Sequence, residues 1–423
     1  MSSTATLEIP DKLNNIVFLC IISLLLFHRK TIRYNYGITL FLRRQDTHTD
    51  SFREICSWLY RSNWIQQRRR LFTSLVLSYQ PPRCLCRENS SRWANWIPHQ
   101  KYIEGYAIVR RLIPWLGNIL ISWAFGDPYI PAVVDAEPCT RQRFPVIVFS
   151  HGLTACRTTY STFCSDLSSH GFIVAAIEHR DGSACMSFSI EKGQNKGPLT
   201  KWIPYQPMQF EKDDMPLRQQ QLQIRMRECS QTLDLLFKLN GGAELEYISQ
   251  SSMNLASFKG AMDLSSPVIA GHSFGSTTLL RTLATDQRYK IGLAMDAWMW
   301  PLKDELELTR NIQQPVLFIN SETFQTAANL DSMKRFVANA DYAERSVLTL
   351  RGSIHDNQND VPYLLPWYIR RFTYHSVINP LLAIQLNNCI SLRYLRQYLG
   401  HPLDDEHSKL SEHYAQWIYQ GIP

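Results

Sequence analysis

A chain of 423 residues, 45% hydrophobic and 19% charged, can bury a sizeable core as one large domain or two smaller ones, and is neither disordered nor wholly a membrane protein. Its net charge of +7 sits entirely in residues 1–90, where 13 Lys and Arg face 6 Asp and Glu, while the remainder holds 31 of each. The body therefore offers no charge-based case for a nucleic-acid partner, and the basic front suits either an anionic membrane surface or a solvated segment.

In chain order, the first feature is the apolar run at residues 16–27 (IVFLCIISLLLF), too short to span a membrane as a helix. Lys12 before it fits a secretory signal, but Glu8, Asp11 and the following His28-Arg29-Lys30 do not. Signal peptide, membrane-dipping anchor and buried helix stay open. Ser2 excludes N-myristoylation. The expected location is secreted or membrane-associated, with cytoplasmic as the alternative.

Residues 31–90 show no strand alternation, so 1–90 stands as an unassigned basic region before a folded domain at 91–423. Asn89-Ser90-Ser91 fits a glycosylation acceptor. Ten scattered cysteines, with Cys84-x-Cys86 lacking a second pair, read as buried thiols. No metal and no cofactor is called for.

Residues 102–125 are rich in Trp, Ile and Leu and broken by Pro114 and Gly117. They form either a core helix pair or an interfacial surface with aromatic anchors. From residue 144 a regular pattern begins. Short apolar strands at 146–149, 173–177, 268–270, 291–295, 316–319 and 347–350 alternate with helical stretches. Leu222, Met226, Cys229, Leu233 and Leu236 mark one helix face. The pattern indicates an α/β fold, a mostly parallel sheet with helices on both faces.

The turn Gly271-His272-Ser273-Phe274-Gly275 follows the strand Pro267-Val268-Ile269-Ala270 and precedes a helix-compatible run. A serine hydroxyl needs a base to become a nucleophile, and a sharp strand-to-helix turn exposes it above the sheet of an α/β-hydrolase. Ser273 is therefore the candidate nucleophile. The acid and histidine should follow, each after a later strand. Asp296 follows 291–295 and Glu322 follows 316–319, and spacing leaves both open. His355, in a loop just past 347–350, fits the base better than His375, His401, His407 or His413. The Phe274 and Leu153 amides are the candidate oxyanion donors. His151 and His272 read as structural hydrogen-bonders.

These segments carry a specific resemblance. FPVIVFSHGL at 144–153, SSHGFIVAAIEHRD at 168–181 and LRQQQLQIRMRECSQTLDLL at 217–236 resemble the platelet-activating factor acetylhydrolases, calcium-independent phospholipases A2 of α/β-hydrolase fold. So do GHSFG at 271–275, DQRYKIGLAMDAWMWPL at 286–302, QPVLFINSE at 314–322 and RGSIHDN at 351–357. The resemblance runs from about residue 93 to 400. It implies Ser273 as nucleophile, Asp296 over Glu322 as acid, His355 as base, and the Leu153 and Phe274 amides as oxyanion donors. It further implies hydrolysis of the sn-2 acetyl or short or oxidised acyl ester of a phospholipid. Residues 115–125 match the family's lipid-contacting helix, so membrane or lipoprotein surface contact is the implied partner besides substrate. The front end departs from the family pattern. A soluble short-chain carboxylesterase and a catalytically silent lipid-binding homologue are the alternatives.

Overall fold

The computed structural model describes residues 93–126, 128–136, 142–192, 198–207, 214–243, 254–305, 308–338, 343–400 and 410–422. All of them belong to the compact unit Trp64–Pro423. The apolar run at 16–27, the basic segment 31–90 and the Asn89 acceptor lie outside the described residues, as do His401 and His407.

Strands β1 (Trp93–Asn95) and β2 (Tyr129–Val133) pair antiparallel and bracket helices α1 (Gln100–Val109) and α2 (Pro114–Phe125). The helix pair expected over 102–125 is present, but its predicted breaks behave differently. Pro114 opens α2 at a position where a missing N–H costs nothing. Gly117 lies inside the helix because a Cβ there would run into the Ala107 side chain of α1. It permits close helix packing rather than ending the helix.

Then follow β3 (Phe144–Ser150), α3 (Ser161–Ser169), β4 (Ile173–Ile177), the hairpin β5 (Met186–Lys192) and β6 (Pro198–Pro204), and α4 (Met215–Gly241). Next come β7 (Met262–His272), α5 (Phe274–Thr285), β8 (Ile291–Met295), β9 (Val316–Ser321), α6 (Ala327–Ala338), β10 (Arg345–Leu350), α7 (Trp367–Thr373), α8 (Pro380–Leu399) and β11 (Ile418–Gln420). Among the described residues, β11-β10-β9-β8-β7-β3-β4 form one sheet, parallel except for β11. The six apolar runs read from sequence are its six parallel strands.

Alternation along β3 sorts its side chains between the two faces. Phe144, Val146 and Val148 join Leu222, Cys229, Leu233 and Leu236 of α4 in one core cluster. On the other face Phe149 meets Tyr160 and Phe163 at ring-centroid distances of 4.9 and 5.8 Å. Coverage on both faces explains why β4, β8 and β9 are buried along their whole length. Among the described residues no helix is long and apolar enough to cross a membrane.

Candidate active site

The strand β7 ends at His272 and α5 begins at Phe274, leaving Ser273 alone in the turn. Its backbone has φ 56° and ψ −117°, a strained conformation for a residue with a side chain. The Ser273 amide donates to the Met295 carbonyl at 2.9 Å, and the Ser273 carbonyl accepts from the Ser276 and Trp298 amides. The Ser276 hydroxyl lies 2.7 Å from the Gly271 carbonyl and 2.8 Å from that of Met295. The turn is thus held from both sides.

The flanking glycines are required by proximity. A Cβ on Gly271 would stand 2.5 Å from the Gly275 carbonyl carbon, and one on Gly275 would collide with the Ser150 carbonyl of β3. The helix can start beneath β3 only with hydrogen at both positions. Phe274 is the first residue of α5, so its amide has no intrahelical acceptor. Leu153 lies three residues past the C-terminal end of the neighbouring strand β3.

Asp296 follows β8 directly, fully buried, with φ 43°. Its amide donates to the Ile319 carbonyl (2.9 Å), and its Oδ1 accepts from the Ser321 amide (2.6 Å). Its Oδ2 accepts from the Ser321 hydroxyl and lies 2.9 Å from His355 Nδ1. With the carboxylate accepting, Nδ1 carries the imidazole proton and Nε2 keeps a lone pair. The His355 ring is held between two others, stacked on Phe324 at 3.7 Å and facing His272 at 4.4 Å.

Glu322, the rival acid, points elsewhere. It accepts from the Gly352 amide at 2.5 Å and so pins the loop that carries His355. Among the described residues, His272, Asp296 and His355 bring donor atoms of metal-ligand type within 4.8 Å of one another. His355 Nδ1 is engaged with Asp296 and His272 Nδ1 with Tyr160.

Between α4 and the ends of β3 and β4 lies a buried polar network, of which only His151 is among the residues singled out from sequence. Arg225 of α4 bonds Asp181 Oδ2 (2.9 Å) and the His151 carbonyl (2.6 Å), and its guanidinium stands 4.6 Å from the Phe274 ring centroid. His179 donates to Glu228 Oε2 and accepts from the Ser150 hydroxyl, both at 2.8 Å. Burial holds the His151, His179 and His272 imidazoles well below their ordinary pKa, so all three are neutral. The signal was present in the sequence. Arg218, Gln221, Arg225 and Glu228 occupy buried positions of α4 beside its apolar stripe. A charge at a core-facing helical position needs a partner.

The profile of the family "Platelet-activating factor acetylhydrolase, isoform II" matches residues 69–416, extending the resemblance beyond 93–400 at both ends. The platelet-activating factor acetylhydrolase of Bos taurus is 38% identical over 309 residues, covering 72% of this chain and 68% of that protein. That of Gallus gallus is 34% identical over 324 residues, covering 74% and 76%. A ferulic acid esterase from Streptomyces cinnamoneus superposes with a TM-score of 0.45 at 16% identity, over 71% of this chain and 82% of that one. With this profile match and these identities, the chain belongs to the platelet-activating factor acetylhydrolase, isoform II, family.

Proposed function

We propose that the chain hydrolyses the sn-2 acetyl, short or oxidised acyl ester of phospholipids such as platelet-activating factor. The observation that carries this reading is the His355 Nδ1–Asp296 Oδ2 bond of 2.9 Å beside the strained Ser273 turn, in a chain of this family. His355 Nε2 takes the Ser273 proton as Oγ attacks the sn-2 carbonyl. The Leu153 and Phe274 amides hold the negative charge that develops on oxygen. His355 then returns the proton to the departing lyso-lipid oxygen, leaving an acyl-enzyme. Water, deprotonated by the same nitrogen, releases the acid and restores Ser273. Asp296 keeps the imidazole in the required tautomer.

The lipid class has its own support at the surface. Trp115 of α2 and Trp367 and Phe372 of α7 are 65%, 64% and 67% exposed, with Ile113 and Ile119 also outward. Trp123 and Tyr368 join the two helices at a ring distance of 6.2 Å. Exposed apolar patches of this kind suit contact with an aggregate of lipid.

Fluorophosphonate labelling and assay of the full chain test the proposal. The expected result is labelling lost in Ser273→Ala, and faster turnover of an acetyl ether phosphocholine than of a soluble acetyl ester of equal reactivity. Equal rates would favour a soluble carboxylesterase, and folded protein that takes no label would favour a silent lipid-binding homologue.

A further inference from the structure

Tyr160 precedes α3 and is 1% exposed, its ring packed against Phe149. Its hydroxyl lies 3.1 Å from the Gly152 amide and 2.8 Å from His272 Nδ1. The roles in this pair of bonds are determined by proton count. The amide can only donate, so the phenol oxygen accepts from Gly152, and His272 Nδ1 is the acceptor within reach of the phenol's single proton. Burial keeps both groups neutral, pushing the phenol far above its ordinary pKa and the imidazole far below.

The three segments joined here are the ones the chemistry uses. Gly152 precedes Leu153, His272 precedes Ser273, and the His272 ring faces that of His355 at 4.4 Å. Gly152 also makes room for the phenol, since a Cβ there would stand 2.8 Å from the hydroxyl and 3.3 Å from His272 Nδ1.

We propose that Tyr160 is a positioning residue for the ester hydrolysis, its hydroxyl tying the end of β3 that bears the Leu153 amide to the turn that bears Ser273 and the Phe274 amide. This inference rests on the site assignment above. The bond spans the gap between the two oxyanion donors and holds the His272 ring as a wall for His355. Donors of this kind act only when aimed at where the oxyanion will sit, about 2.7–3.1 Å away. Tyr160 itself does not touch the substrate. Its loss therefore loosens the fit to the tetrahedral state and leaves ground-state binding of the ester unchanged.

The test compares full-length wild type, Tyr160→Phe and Ser273→Ala on a soluble acetyl ester, with a trifluoromethyl ketone as tetrahedral-state probe. A full oxyanion donor is worth about 10²–10³ in turnover, so a loosened pair should cost roughly tenfold in kcat. KM should stay within about twofold and ketone affinity should fall with kcat. Unchanged kcat in folded Tyr160→Phe overturns the inference, as does a loss carried by KM with ketone affinity intact. Should Tyr160→Phe not fold, His272→Asn, which keeps a side-chain acceptor for the phenol, is compared with His272→Leu, which has none. The expectation is several-fold higher kcat in His272→Asn, and equal values overturn it. Ser273→Ala separates the two readings. Activity and labelling retained there remove the site assignment itself, whereas their loss beside an unaffected Tyr160→Phe removes only the role of Tyr160.

Discussion

At the scale of single residues, the site depends on two backbone conformations that side chains rarely adopt. Ser273 and Asp296 both have positive φ, at 56° and 43°. The amide of each donates to a carbonyl of the neighbouring strand, Met295 of β8 for Ser273 and Ile319 of β9 for Asp296. The strain is thus carried by the sheet, at the C-terminal ends of its interior strands β7 and β8. Asp296→Asn keeps the shape but lets the amide impose the wrong imidazole tautomer. Turnover should fall by about 10³-fold or more while the protein melts near the wild-type temperature. Phe324 acts on the same imidazole through its face, 3.7 Å away. In the proposed mechanism a ring face attracts the imidazolium formed during attack, worth about 0.5–1 kcal/mol at a partly exposed site. Steady-state assay of Phe324→Leu should show kcat lower by about two- to fivefold, and wild-type kcat would remove this role.

At the scale of elements, the start of α5 against β3 is the tightest joint near the site. Gly275→Ala would drive a methyl into the Ser150 carbonyl, and backbone cannot give way as a flexible side chain can. Overpacking of this type costs about 1–3 kcal/mol or more, so thermal melting should show a clear loss of stability. The pair α2 and α7 provides the second prediction. Burying a large apolar side chain is worth about 1.5–3 kcal/mol, so Trp115→Ser combined with Trp367→Ser should lower the ratio of vesicle to soluble-ester activity by at least tenfold. An unchanged ratio would mean that these helices do not meet the lipid.

At the scale of the whole molecule, Asp360 joins distant parts of the chain. Its carboxylate accepts from Trp96 Nε1 and the Ser161 hydroxyl, and its amide donates to the Thr159 carbonyl. It thereby connects the β1 region and the start of α3 to the segment just past His355. Burial raises its pKa from 3.8 to about 6. Between those values the folded state holds a proton that the unfolded chain has released. The contribution of this group is therefore fully present below about pH 4 and declines as pH rises to about 6. The loss is of order 3 kcal/mol for a shift of this size. Denaturant unfolding across that window should show a steeper decline in wild type than in Asp360→Asn, and parallel curves would remove the assignment.

What the sequence determined by itself was the part governed by local pattern. Burial on both faces gives the parallel strands short apolar runs, so the six of them were legible. The crowding at the turn after β7 demands glycine at 271 and 275, so the strand-to-helix turn around Ser273 was legible too. The helical stripe of α4 was visible, and the buried charges beside it, Arg218, Arg225 and Glu228, marked a polar network without naming their partners. The choice between Asp296 and Glu322 was different. Both follow strands, and only the resemblance favoured Asp296 before the fold brought its carboxylate to His355 and set Glu322 on the Gly352 amide. Tyr160 escaped the reading for the same reason. Its partner His272 is 112 positions away, and a contact at that separation leaves no local periodicity. The hairpin β5–β6 and the antiparallel β11 were missed because edge and paired strands carry mixed polarity. Local pattern encodes which residues face the core, while the meeting of distant side chains is decided only when the sheet has formed.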